Sequence, residues 1–117
     1  MDYNLTAYSI LEVGKRTDAY GNPHQEDCIF PLTSEISNNS RVFILCDGMG
    51  GHDAGEIASS VVCETLGKSI SSMLDENPLF TRSELKKALD VAYNTLDAND
   101  TGSEKKMGTT LAMVVFH

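Results

Sequence analysis

Two short acidic segments, Glu26-Asp27 and Asp47-Gly48, stand at the borders of apolar runs. Asp47 closes the run Val42-Phe43-Ile44-Leu45-Cys46 and opens Gly48-Met49-Gly50-Gly51-His52-Asp53-Ala54-Gly55-Glu56, so an acid and four glycines crowd the end of an apparent strand. A carboxylate in that position is held rigidly at a sheet edge, where binding sites of layered α/β structures gather. Hard cations such as Mg²⁺ and Mn²⁺ take oxygen ligands. At about 2.0–2.1 Å from Mg²⁺ a main-chain carbonyl fits only where no side chain crowds the ion, which suits Gly48. Gly50 and Gly51 permit the positive φ of a turn. Taken alone, Asp47-Gly48 is an ordinary turn. The second acidic pair changes that balance. If the strands on either side of Ser34–Ser40 are paired, Glu26, Asp27 and Asp47 lie at related ends of one sheet, where converging carboxylates repel unless a cation sits among them.

Other chemistries fit less well. No Lys follows the glycines, so the phosphate-binding pattern G-x-x-x-x-G-K-[ST] is absent, and the G-x-G-x-x-G spacing also fails. Asp97, Asn99, Thr101 and Gly102 fall at the first, third, fifth and sixth positions of a calcium loop, but the twelfth is Gly108 instead of a bidentate Glu. Cys28, Cys46 and Cys63 are an odd number without a C-x-x-C pair, which points to neither a disulfide framework nor a zinc knuckle. Cys46 and Cys63 lie in apolar stretches and are expected as buried thiols; acids beside Cys28 and Cys46 should hinder thiolate formation. His52 is expected at a loop or helix start, bonding main chain.

The elements that must position these residues follow from periodicity. Tyr3–Val13 alternates loosely and predicts a first strand ended by Gly14; Lys15–Gln25 is polar, with a Gly-Asn-Pro turn signal. Cys28–Leu32 predicts a short strand and Ser34–Ser40 a hairpin-like connection. Arg41–Cys46 is apolar on both faces, as in a strand buried between layers. Asp53 with Glu56 resembles a capping box, and Ala58, Val61, Val62, Leu66, Ile70 and Met73 recur at helical spacing, predicting a helix from Ala54 to about Leu74. Asn77-Pro78 ends it. Thr81 with Glu84 caps a second helix whose inward face carries Leu85, Ala88, Leu89, Ala92, Tyr93 and Leu96. Thr109–Phe116 reads as a further interior strand.

Composition bounds the function. With 117 residues and 41% hydrophobic content, the chain is one modest domain's length and can build a core. Nine basic against seventeen acidic residues, net −8, argue against a nucleic-acid partner. Neither a secretory start nor an apolar run of membrane-spanning length is present, so no membrane role and a cytoplasmic location are expected.

Taken in order, Glu26-Asp27, Asp47-Gly48-Met49-Gly50-Gly51-His52 with Gly55-Glu56-Ile57-Ala58-Ser59, and Gly108-Thr109-Thr110 resemble the amino-terminal motifs of the type-2C metal-dependent protein phosphatases, the PPM family. The "DGMGGH" form is similar to the bacterial branch. The resemblance runs through essentially the whole chain and implies an α+β fold: part of a four-layer αββα sandwich, with antiparallel sheets flanked by helices. Residues 1–117 would then be the amino-terminal portion of an incomplete phosphatase domain.

By that resemblance a complete domain holds two Mg²⁺ or Mn²⁺ ions. Asp47 would bridge them, the Gly48 carbonyl would bind one, and Glu26 and Asp27 would hold waters of the centre. The activity implied is hydrolysis of phosphoserine and phosphothreonine in proteins by a metal-activated water, with a serine/threonine kinase as opposing partner. Family members carry an Arg four residues before the Glu of the acidic pair, where this chain has Asn22; Arg16 would be its counterpart if Thr17–Pro23 is an insertion. Many eukaryotic members have His after the Asp-Gly, where Met49 stands here, and His52 does not inherit its role. The chain lacks the later aspartates that complete the centre, so weak metal binding and poor turnover are expected of it alone. Half a sandwich would also expose apolar faces and open edges, which predicts self-association. The competing expectation is a noncatalytic, truncated phosphatase-like interaction module.

Overall fold

In a computed structural model of the chain, residues 25–50, 54–99 and 107–116 are described. The expected strand at 3–13, together with Arg16, Asn22, Gly51, His52 and Asp53, lies outside them. The elements run β1 (Asp27–Phe30), a short 3-10 turn (Thr33–Glu35), β2 (Val42–Met49), α1 (Ala54–Glu76), α2 (Arg82–Ala98), β3 (Gly108–Thr109) and β4 (Ala112–Val115). This is a mixed α+β fold, an antiparallel sheet with two helices, consistent with part of a layered sandwich.

Strand β2 is the centre of the described sheet. β1 pairs with it antiparallel on one side, and β3 and β4 pair with it antiparallel on the other. β1 stops at Phe30 because Pro31 has no N–H to give to a ladder. In the connection to β2, the Ser40 N–H donates to the Ser37 carbonyl at 3.0 Å and the Ser37 N–H donates to Ser40 Oγ at 3.0 Å. The single strand expected over Thr109–Phe116 is broken at Thr110-Leu111, but β3 and β4 keep one register against β2. It is also an edge of the described sheet instead of an interior strand, because among the described residues β3 and β4 pair with β2 alone.

Alternation along β2 separates two faces. Val42, Ile44, Cys46 and Gly48 are buried, whereas Leu45 is 49% and Met49 52% exposed. The strand expected to be buried between layers is therefore covered on one face only among the described residues. The cover is α1, whose stripe of Gly55, Ser59, Val62, Cys63, Leu66 and Ile70 recurs at helical spacing and faces the sheet. Leu66 and Ile70 are completely buried. Two close approaches set how near the helix lies: a Cβ on Gly67 would strike the Phe30 ring, and a Cβ on Gly48 would strike the Gly55 carbonyl.

Helix α1 starts at Ala54 as expected and runs to Glu76, two residues past the predicted end. Asn77 stops it, its N–H donating to the Met73 carbonyl at 2.9 Å and its Oδ1 accepting from the Leu79 N–H at 3.0 Å. The expected cap of α2 forms, with Thr81 Oγ1 accepting from the Glu84 N–H at 3.3 Å. α2 packs on α1 through Ala88 and Ala92. Leu89 and Tyr93, expected on that face, are 38% and 70% exposed. A stripe of alanines lets two helices approach closely, and residues one position further on rotate about 100° away from so narrow a contact. Among the described residues no helix is long and apolar enough to cross a membrane.

Candidate functional site

Asp27 lies directly opposite Asp47 in the antiparallel register of β1 and β2. Next to them the Gly48 N–H donates to the Glu26 carbonyl at 3.0 Å. Because hydrogen-bonded and non-hydrogen-bonded pairs alternate along such a ladder, Asp27 and Asp47 form a non-hydrogen-bonded pair, the kind whose Cα atoms approach to about 4.5 Å and whose side chains lie closest. Both carboxylates stand on the face that α1 does not cover, in line with Ile29 and Leu45.

Such a pair repels itself. Burial first, then the Asp47 charge and a hydrogen bond to the Asp47 carboxyl, and last the Glu26 charge, push the Asp27 carboxyl above its ordinary range. Two oxygen-only donors crowded at one sheet end are the class of ligand that hard divalent cations take, and a cation between them would relieve the crowding. The residues present fit one side of such a centre.

Glu26 takes a different place. It is one residue before Asp27, so it alternates to the helix-covered side, where it is 8% exposed and its Oε2 is sealed from solvent against Gly55. The sheet end thus brings Asp27 and Asp47 together and holds Glu26 on the opposite face. Among the described residues, no group of three or more His, Cys, Asp or Glu side chains is placed to hold an ion.

Gly48 is required for a reason the sequence did not suggest. What excludes a side chain there is the carbonyl of Gly55 at the start of α1, so the strand end and the helix start meet backbone to backbone. Gly50 has φ +148° as expected of the turn, and a Cβ there would lie 2.6 Å from that of Ala54.

Asp47 is held from its other edge by the Gly108-Thr109-Thr110 segment. Its carbonyl accepts from the Thr110 N–H at 2.8 Å, and its N–H donates to Thr110 Oγ1 at 3.1 Å. Spacing alone gave no sign of this contact, which needs the register to be known.

The three cysteines converge on the helix-covered face, Cys28 opposite Cys46 in the register and Cys63 packed with both from α1. Cys46 and Cys63 are fully buried, as expected. Cys46 departs from the expected direction: a hydrogen bond with the Cys63 thiol draws it below the ordinary thiol range and pushes Cys63 above it, while Asp47 stands on the other face. Burial holds Cys28 high. None of these thiols shares a face with the carboxylate pair, which leaves them no place as its nucleophile.

Residues 13–117 match the family model described as Protein phosphatase 2C. No curated protein matches the chain.

Proposed function

The chain belongs to the protein phosphatase 2C family, and we propose that it is the amino-terminal part of a metal-dependent phosphatase acting on phosphoserine and phosphothreonine in proteins. The observation that carries this reading is Asp27 facing Asp47 in a close cross-strand pair at the end of the sheet. Asp47, Asp27 and the main chain of Gly48 would hold Mg²⁺ or Mn²⁺, while Glu26 lies behind the strand, packed against Gly55. Bound there, such ions, two in a complete domain by the family resemblance, would supply positive charge for a phosphoryl group and lower the pKa of water. Asp47 keeps its place through main-chain bonds to Thr110 on one side and the close pairing with Asp27 on the other. Arg16 would hold the substrate phosphate as a bidentate donor.

The test is Mn²⁺-dependent hydrolysis of a phosphothreonine peptide, wild type beside Asp47→Asn, with Mn²⁺ binding measured on both. Loss of specific Mn²⁺ binding and of any hydrolysis in a folded Asp47→Asn chain is expected, a fall of about 100-fold or more in affinity. Unchanged Mn²⁺ affinity would remove the site assignment.

A second reading, a noncatalytic association module, is favoured by one observation: Ile29, Phe43, Leu45, Ala112 and Val114 form an apolar strip beside the acidic pair that no other described residues cover. Sedimentation of the chain with and without Mn²⁺ separates the readings. Metal-independent self-association in a chain that binds no Mn²⁺ supports the module.

A further inference from the structure

The Gly108-Thr109-Thr110 segment has a specific arrangement beside Asp47. In an uninterrupted antiparallel ladder the Asp47 N–H would be given to the main-chain carbonyl of the residue opposite, which the shared register of β3 and β4 makes Thr110. Here that carbonyl accepts from the Thr109 hydroxyl at 2.9 Å. The Asp47 N–H goes instead to the Thr110 side chain, at 3.1 Å from Oγ1. The same hydroxyl reaches the Asp47 carbonyl at 3.4 Å, while the Thr110 N–H keeps the ordinary ladder bond to that carbonyl at 2.8 Å. Two threonines have exchanged one main-chain acceptor for a side-chain one, at the place where the strand is interrupted.

The geometry points to Thr110 as the positioning residue of the carboxylate pair, an assignment that rests on the metal-site reading above. Asp47 makes no ladder bond to Asp27, its partner on the β1 side, so both of its main-chain groups depend on Thr110. A hydroxyl does what a carbonyl would not: as donor and acceptor together it engages both polar groups of one residue, and this fixes the tilt of the Asp47 Cα–Cβ bond toward Asp27. Thr110 itself touches neither an ion nor a substrate in this role. Thr110 is an exposed residue outside the core, so removing its hydroxyl leaves the core untouched.

The test uses Thr110→Val, which keeps the shape and deletes the hydroxyl, and Thr110→Ser, which keeps the hydroxyl. Amide hydrogen exchange at Asp47 is followed in metal-free protein, and Mn²⁺ affinity is followed by the paramagnetic resonance of free Mn²⁺. In Thr110→Val the Asp47 amide is expected to exchange at least tenfold faster and Mn²⁺ to bind about tenfold more weakly. Thr110→Ser should stay within about twofold of wild type in both, against that tenfold loss. Wild-type Mn²⁺ affinity in Thr110→Val overturns the assignment, and so does a Thr110→Ser variant as impaired as Thr110→Val, because the methyl group would then carry the effect. If Thr110→Val does not fold, Thr110→Ala makes the same deletion and is read the same way. Asp47→Asn run alongside separates the two claims: if it still binds Mn²⁺ like wild type, the metal reading falls and takes this one with it. Loss in Asp47→Asn but not in Thr110→Val defeats the positioning role alone.

Discussion

The two faces of β2 are built from consecutive residues and have opposite characters. On one face Val42, Ile44, Cys46 and Gly48 meet α1 so closely that Gly48 and Gly55 touch through their main chains. On the other, Leu45 and Val114 are about half exposed and the apolar strip ends in two carboxylates. The covered face holds the strand in place, and the other carries the carboxylate pair at its end. A carboxylate pair that repels itself is tolerable at the end of a strand whose back is locked to a helix, because the strand cannot slide or tilt to separate the charges.

Neighbouring substitutions in β2 test this contrast most directly. Ile44→Ala, at 4% exposure, should cost about 2–5 kcal/mol in urea unfolding. Leu45→Ala, one residue on and half exposed, should cost about 1 kcal/mol or less. Equal costs would mean that the second face is covered in solution. Gly48→Ala should cost about 3 kcal/mol, because its new methyl meets a carbonyl that cannot rotate away. A thermal midpoint unchanged in that variant would show that the helix start yields.

The smallest effect has the opposite sign. Asp27 is held above its ordinary 3.8, so its ionised form is disfavoured in the fold. The resulting destabilisation is absent below that pH, grows as pH rises through the folded value, and is complete above it. Asp27→Asn should therefore melt slightly higher than wild type at neutral pH in a chelator, and the gap should close below pH 3.8. Saturating Mn²⁺ should reverse the order by stabilising wild type alone. A midpoint at neutral pH lower than wild type in the chelator would break the picture of two mutually strained acids.

Much of this was legible in the residues. The cap at Thr81 and Glu84, the start of α1 at Ala54, the burial of Cys46 and Cys63, and the positive φ at Gly50 are local matters of spacing, hydrogen-bond chemistry and backbone sterics. The acidic motifs were visible too, since strand-end acids followed by glycines form a short pattern. The residues could not say which of Glu26 and Asp27 shares a face with Asp47, that Thr110 grips Asp47 across the chain, or that Leu89 and Tyr93 stay outside the helix contact. Strand register decides the first two, and a shift of one residue would reverse every side chain. The third depends on how closely two helices approach, which Ala88 and Ala92 allow only once they face each other's neighbours. Local chemistry is written in short spacings, whereas the meeting of Asp27 with Asp47 is a long-range pairing that exists only when β1 and β2 have closed on one another.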